Sequence, residues 1–377
     1  MKRRYLALLL ALTVTVSVVG CTPKGADTGA PPSGDDIKTE ETAVEAGESE
    51  SKEQTEEKEE ETVMRNASGN VNLNQVGFMP KSRKTVVVRG ENLSPEFRIL
   101  DAGTDEEVFT GTLTGPVEAK EADEMVYQGD FSDFTTPGNY VVKVSNDEES
   151  YPFEIKDGVY DEALKEIFLF FYKQRCGCEV EESIAGKVAH GPCHTSDAQI
   201  YGTKEYKEVN GGWHDAGDYG RYVVAGATSI ADMFMAYEDF PEIWKTDSVG
   251  IPESGNGIPD ILDEAKYELD WMLKMQDEAT GGVYHKVTCI DFPGYVMPEA
   301  ETKPLVIAPI SPTATGEFAA VMAMASRIYR PFDEEFADRA LEVAKKAWDF
   351  LEANPNMEGF KNPPEIHTGE YGDEDSS

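Results

Sequence analysis

The apolar residues follow two different periods along the chain, and the change falls near residue 158. Upstream, Thr85-Val86-Val87-Val88, Phe97-Arg98-Ile99-Leu100, Val108-Phe109 and Tyr140-Val141-Val142-Lys143-Val144 are short β-branched or aromatic runs. They are punctuated by Asp101-Ala102-Gly103 and Thr136-Pro137-Gly138-Asn139. Runs of this kind predict a small β-sandwich of immunoglobulin type over residues 70–156. Nothing in it carries chemistry, and with few aromatic residues in strand-like context it reads as a packing module rather than a carbohydrate binder. Downstream the period lengthens. Asp161–Arg175 places Leu164, Phe168 and Phe171/Tyr172 on one face, and Tyr219–Tyr237 is apolar nearly all round. Ile258, Leu262, Ala265, Leu269, Met272 and Met275 step by three or four, Thr315–Tyr329 is rich in Ala, and Asp333–Leu351 holds Ala337, Leu341, Ala344, Trp348 and Leu351 in register. Buried helices mixed with one-sided ones predict an all-α second domain from residue 157. Trp244, Trp271 and Trp348 sit on or beside these helices and read as core. The Gly- and Pro-rich connections 177–216 and 283–312 are long enough to hold a site.

The first 69 residues obey neither period. Lys2-Arg3-Arg4 and the apolar run Tyr5–Val19 read as a signal peptide, residues 1–21, because the run is shorter than the roughly 20 residues of a spanning helix. It ends Val18-Val19-Gly20-Cys21, which resembles a bacterial lipoprotein box with Cys21 as the acylated residue; a plain signal peptide is the alternative. Residues 22–69 lack aromatics and are rich in Glu, Ser, Thr, Gly and Pro, a composition expected to form a disordered acidic linker. Together these predict an exported body tethered to a membrane by lipid at the bacterial cell surface. Charge sharpens the exclusions. With 34 Lys plus Arg against 72 Asp plus Glu, net -38, the chain has no basic surface for nucleic acid.

The densest chemistry lies in Asn210-Gly211-Gly212-Trp213-His214-Asp215-Ala216-Gly217-Asp218-Tyr219-Gly220-Arg221. Two carboxylates three apart, joined by Ala-Gly, sit just before a helix, where small residues admit a close approach and the helix dipole favours negative charge. Asp215 and Asp218 can jointly hold one water and take its proton; a helix-capping pair or a calcium loop is the bland reading. There is no Gly-rich phosphate loop and no serine nucleophile elbow.

The stretch Gly212-Trp213-His214-Asp215-Ala216-Gly217-Asp218-Tyr219-Gly220 resembles the signature of glycoside hydrolase family 9, the inverting endoglucanases. Asn74-Gln75-Val76-Gly77-Phe78-Met79-Pro80 resembles the opening of the immunoglobulin-like domain that precedes one branch of that family. Gly257–Glu264, Tyr284–Thr288, Ile310–Thr315 and Thr368–Asp373 are similar to further family motifs. The resemblance implies an (α/α)6 toroid, of which residues 157–377 would be about half, and hydrolysis of β-1,4-glucosidic bonds in cellulose or related β-glucans. It makes Asp218 the general base and Asp215 the residue that positions the attacking water. The general acid, a Glu, would lie beyond Ser377, so no residue of this chain maps to it and a truncated chain is expected to be inactive alone. Trp213, Tyr371, His285, Phe292 and Tyr295 are candidates for lining the cleft, with Tyr371 favoured by the resemblance. A non-catalytic glycan-binding lipoprotein is the competing reading.

Five cysteines occur. With Cys21 assigned to lipid, Cys176, Cys178, Cys193 and Cys289 remain, and an exported protein would ordinarily pair them as disulfides, in three possible ways. Adjacent Cys193-His194, with His214 beside the carboxylate motif, also suits a tetrahedral zinc. The resemblance maps zinc ligands to Cys176, Cys193, His194 and His214, with Cys178 a possible replacement for Cys176 and His190 a loop residue. It also implies a calcium site begun by Asp373 and Asp375.

Overall fold

The computed structural model describes residues 67–90, 92–145 and 147–372. The lipidation residue Cys21 and the calcium candidates Asp373 and Asp375 lie outside these. Seven strands come first: β1 (Val71–Asn72), β2 (Thr85–Arg89), β3 (Glu96–Asp101), β4 (Glu107–Ala119), β5 (Glu124–Asp130), β6 (Gly138–Val144) and β7 (Phe153–Ile155). They pair in the order β1-β2-β5-β4-β3-β6-β7. The 13-residue β4 pairs with β3 through its first half and with β5 through its second, with a register shift between Thr114 and Val117. Val86 and Val88 from one half share a single apolar core with Phe97, Ile99, Val142 and Ile155 from the other, so the two halves face each other as a sandwich. Phe78, Phe131 and Phe153 meet edge-on or tilted at its centre, with ring centroids 5.4 to 5.7 Å apart.

The sandwich is fastened to the start of the helical part. Tyr160 donates its hydroxyl to Gly77 O at 2.8 Å and accepts from Asn74 Nδ2 at 2.8 Å. Gly77 has φ +117°, and a Cβ there would stand 2.5 Å from Glu154 O and 2.7 Å from Val159. Only glycine allows both the turn and the contact.

The second part contains α1 (Asp161–Lys173), α2 (Glu182–Ala185), β8 (Ala198–Ile200), β9 (Tyr206–Lys207), β10 (Arg221–Tyr222), α3 (Val223–Asp239) and α4 (Pro241–Trp244). Then come α5 (Asp260–Met275), β11 (Lys286–Thr288), β12 (Val306–Ile307), α6 (Pro312–Ile328) and α7 (Glu334–Ala353). Ser311 accepts from Ala314 N at 3.1 Å ahead of Pro312, and Asp333 accepts from Phe336 N at 2.9 Å, which sets the starts of α6 and α7. α3 and α6 present Gly226, Ala227, Ala314, Ala319 and Ala325 to the core, and Met272 of α5 packs against Gly226 of α3. On α7 the buried stripe is Ala337, Ala340, Ala344 and Ala347, and Trp348 is exposed. The expected core role of Trp348 is therefore corrected: α7 lies close along α6 on small residues, and the large side chain turns outward.

The expected all-α domain also contains a sheet. β10, β11, β12, β8 and β9, each two or three residues long, pair in that order. They bring segments around residues 200, 221, 287 and 306 side by side beneath the candidate site.

Candidate active site and metal centre

Backbone pairing builds the site. Cys176 N donates to Gly212 O (2.7 Å) and His214 N donates to Gln174 O (2.8 Å), so the chain leaving α1 lies antiparallel to the segment ahead of Asp215. A second bridge, Val180 with His190, returns Cys193-His194 to the same place. The result is a compact group. Cys176 Sγ is 3.9 Å from Cys193 Sγ and 3.7 Å from His194 Nδ1, and Cys193 Sγ is 3.5 Å from His214 Nε2. All four ligand atoms lie within 4.8 Å of one another.

Bonds of about 2.0 to 2.3 Å from a central tetrahedral ion would place sulfur and nitrogen donors at about these separations. Burial lowers the His214 pKa, which favours the neutral, ligating imidazole, and the thiol and imidazole groups around Cys193 stabilise it as a thiolate. The donor set therefore fits a soft or borderline cation. The disulfide alternative does not describe the structure, in which Cys176, Cys178, Cys193 and Cys289 are all free. Cys178, with burial raising its thiol pKa, lies outside the group of four, as does His190, whose Nδ1 is 2.8 Å from Gly191 O.

Directly after His214 the chain makes a tight turn, with Tyr219 N on Ala216 O (2.9 Å) and Asp215 N on Gly220 O (2.9 Å). Asp218, 2 % exposed, accepts from Gly220 N at 2.9 Å and from the Tyr222 hydroxyl, with Gly369 N at 3.4 Å. Oδ2 takes both the Tyr222 and Gly369 donors, and Oδ1, with Gly220 N alone on it, keeps lone-pair capacity for a further donor. Asp215 is half-buried and accepts from the Tyr371 hydroxyl at 2.8 Å. Burial raises its pKa and the Asp218 charge adds to this, while the Tyr371 bond and Lys286 oppose it. Tyr222 and Tyr371 meet edge to face at 4.9 Å, and the pKa of each is raised, by burial first and by the carboxylates second. Both phenols therefore remain donors. Lys286 is buried over the Tyr222 ring at 5.1 Å, bonded to Gly369 O and Thr368 Oγ1; burial pushes its pKa down to about 8 against the pull of Asp218, Glu370 and Asp215.

α5 holds this loop from behind with buried carboxylates. Glu264 receives Arg175 Nε (3.1 Å) and Nη2 (3.0 Å) and Trp213 Nε1 (2.8 Å). Glu268 receives Trp213 N at 2.6 Å, and burial pushes its pKa up to about 8. The Arg175 guanidinium lies 4.4 Å from the Tyr267 ring centroid and 5.1 Å from that of Tyr172. Gly212 and Gly226 are required by this packing: a Cβ on Gly212 would meet the Trp271 ring at 2.7 Å, and one on Gly226 would meet Glu268 Oε1 at 2.4 Å.

The cleft candidates separate into two kinds. Trp213 is 7 % exposed, with both of its N–H groups committed to α5 and its ring 5.0 Å from Phe171, so it supports the loop and leaves little face for a sugar. His285 is fully buried, stacked 3.6 Å on Phe360 and engaged with Ser311 and Glu370, again a structural placement. Tyr371 and Tyr295 are exposed.

Three groups escaped the sequence reading. Tyr222 falls in what reads as a buried helix and Lys286 in a long connection; Tyr222 reaches Asp218 from four residues along the chain, and the pairing of β10 with β11 brings Lys286 over the Tyr222 ring. The third is a second cluster, Asp247, Asp260 and Asp263, whose oxygens also lie within 4.8 Å; an all-oxygen set suits a hard cation. Burial, opposed by an Asn256 bond and reinforced by Glu253, Asp260 and Asp247, pushes Asp263 up to about 6. Its signal in sequence is three Asp residues spread around the Gly-rich turn Ser254-Gly255-Asn256-Gly257.

Comparison with known proteins gives this geometry a family. The profile of "Glycosyl hydrolase family 9" matches residues 160–377, and that of "Cellulase N-terminal ig-like domain" matches residues 66–149. The chain is 40 % identical over 306 residues to Endoglucanase D of Acetivibrio thermocellus, covering 80 % of this chain and 48 % of that protein. It is 38 % identical over 323 residues to a xyloglucan-specific endo-beta-1,4-glucanase of Bacteroides ovatus, covering 80 % of this chain and 54 % of the other. Among solved structures it is similar to a Zn-binding triple mutant of the family 9 endoglucanase J30. There the TM-score is 0.73 and the identity 35 %, over 77 % of this chain and 55 % of that one. The chain thus spans about half the length of the curated relatives it matches. Its sandwich, its helical part and the loop that joins two carboxylates to a thiolate–imidazole group all fall within these matches, and the chain belongs to glycosyl hydrolase family 9.

Proposed function

We propose that the protein hydrolyses β-1,4-glucosidic bonds of a β-glucan with inversion at the anomeric carbon. The observation that carries this reading is the Asp215–Asp218 pair, held by two tyrosine hydroxyls that stay protonated, on a loop of family 9 sequence. Asp218 takes a proton from water as the water oxygen attacks the anomeric carbon, and Asp215 orients that water. The glycosidic oxygen leaves on the opposite face, where it receives a proton from a general acid that we assign to none of the described residues. Tyr371 extends over the same space as a sugar contact.

Three finer readings accompany it. The helices α1, α3, α5, α6 and α7 are taken as members of an (α/α)6 toroid, as the family resemblance implies. The cation held by Cys176, Cys193, His194 and His214 is taken as structural zinc, supported by the donor set and by the Zn-binding neighbour. When bound it would fix the loop that leads into Asp215. Export with a lipid on Cys21 rests on the basic start, the apolar run and the Cys itself.

The test is Asp218→Asn in the gene product, read as reducing sugar released from soluble β-glucan. Asn keeps the size of the side chain and cannot take the proton, so turnover should fall about 10²- to 10⁴-fold with glucan affinity largely kept. NMR of the fresh product should show inverted configuration. Retained configuration, or near-normal turnover in the variant, would reject the assignment.

A further inference from the structure

Three imidazoles surround the Cys193 sulfur, and two of them, His194 and His214, belong to the group of four. The third is His190, four residues before His194 on the segment returned by the bridge to Val180. Its backbone is fixed on both sides there: Val180 N donates to His190 O at 2.9 Å, and His190 N donates to Val180 O at 3.2 Å. The ring of His190 is 5.9 Å from that of His214, against 5.3 Å for His194, and the residue is 6 % exposed.

His190 and His194 differ in how the second ring nitrogen is held. A metal-binding imidazole ordinarily donates its other N–H to an oxygen, which fixes the tautomer and turns the free lone pair toward the ion. His190 meets this condition. Its Nδ1 donates to Gly191 O at 2.8 Å, so Nε2 carries the lone pair, and that buried nitrogen has no partner among the described residues. His194 does not meet it. Its Nδ1 faces Cys176 Sγ at 3.7 Å, and its buried Nε2 has no acceptor among the described residues. Its backbone is also strained, at φ +50°, a left-handed conformation unfavourable for a residue with a Cβ. Of the two, His194 is the one built to let go.

We propose that His190 is a reserve ligand of the metal centre, which takes the cation through Nε2 when His194 releases it. The exchange keeps the donor set at two thiolates and two imidazoles, so the preference for a soft or borderline cation is unchanged. His190 stands outside the group whose atoms lie within 4.8 Å, so it replaces His194 and adds no fifth bond. Cys176 and His214 stay bound throughout. The segment that leads from His214 into Asp215 therefore remains fastened while His194 is free. This inference rests on the reading of the four residues as a metal centre.

The test is metal binding by the full chain, with Zn²⁺ affinity measured by competition against a chromogenic chelator and Co²⁺ as the spectroscopic probe. His194→Gly removes the imidazole and suits the positive φ, so the fold should be kept. His194→Asn, whose side chain also tolerates left-handed backbone, is the second background. Either variant should still bind one Zn²⁺ per chain, with affinity reduced less than about tenfold. Its Co²⁺ form should keep the intense visible bands of a four-coordinate site with two sulfur and two nitrogen ligands. Adding His190→Ala should weaken Zn²⁺ binding more than about 100-fold, beyond the cost of removing a hydrogen-bond partner of a ligand, and should dim the Co²⁺ bands. Adding His190→Gln should do the same, because glutamine is polar and has no imidazole. His190→Ala alone leaves the four ligands and should bind Zn²⁺ nearly as wild type. Equal affinity with and without His190 in the His194 variants, or full retention with His190→Gln, overturns the reserve ligand and leaves the four-residue centre standing. No Zn²⁺ binding by the wild-type chain overturns both.

Discussion

The sandwich and the helical part bury different kinds of side chain. In the sandwich the interior is aliphatic and aromatic, and among its described residues the buried polar ones are Lys84 and Ser150. Lys84 gives its ammonium to Pro80 O, Ser82 O and Ser132 O, which pins one turn. The helical part buries Arg175, His214, Asp218, Arg221, Asp260, Glu264, Glu268, His285 and Lys286. Burying charge costs several kcal/mol per group unless it is paired and hydrogen-bonded. One domain is therefore built for cohesion alone, whereas the other accepts that cost where the position of a loop matters. Polar burial concentrates behind Trp213 and Asp218, and that concentration locates the site without reference to any motif.

The Asp218→Asn loss is the largest expected effect. Next comes a pair of lesions of equal size. Glu264→Ala should destabilise by about 3–5 kcal/mol because Arg175 loses its buried partner. Phe131→Ala in the sandwich should cost a similar amount, about 3–5 kcal/mol, through its cavity. Metal analysis distinguishes them: the Glu264 variant should bind metal more weakly, because Arg175 adjoins Cys176 and Trp213 adjoins His214, and the Phe131 variant should keep its metal. Equal metal loss in both would erase the contrast between the two domains.

A pH test sharpens it. Glu268 has its pKa pushed from 4.5 up to about 8, with burial as the main cause. Between those values the folded chain holds a proton that the unfolded chain has released, so this group makes stability fall as pH rises through the window. Denaturant titrations from pH 5 to 8 should show a shallower decline in Glu268→Gln than in wild type. An unchanged slope would mean that Glu268 is ionised in the fold. The smallest effect is expected at Trp348→Ala, within about 0.5 kcal/mol, since the ring is exposed. A larger loss on calorimetry would return that residue to the core.

The five long helices were legible because each repeats its apolar positions over several turns. On α7 the face was legible in part: Ala337 and Ala344 are buried as read, Leu341 is half-buried, and Ala340 and Ala347 take the place expected of Trp348, because close helix packing selects small residues. The five-stranded sheet was illegible, since strands of two or three residues have no measurable period. Site residues followed the same logic. Asp215, Asp218 and the Cys/His group are local in sequence or tied by family motifs, so they could be named. Lys286 acquires its role only when β10 and β11 pair, Tyr222 is four residues from Asp218 but reads as a helix position, and Trp213 and His285 look like cleft residues until their N–H groups are found committed to the interior.

That small sheet has a kinetic consequence. β8, β9 and β10 precede α3 and α5 in the chain and β11 and β12 follow them, so the pairing of β10 with β11 closes a loop that contains both helices. β8 pairs in parallel with β12, which lies more than a hundred residues downstream. Loop-closure entropy has to be overcome before such distant pairings yield any gain. Lys286 therefore reaches the surroundings of Asp218 only across a long loop closure, whereas Tyr222, four residues away, is a local partner. A nascent or partly folded chain can hold the whole carboxylate motif and still lack Lys286 and the distant donors Gly369 and Tyr371 that shape it.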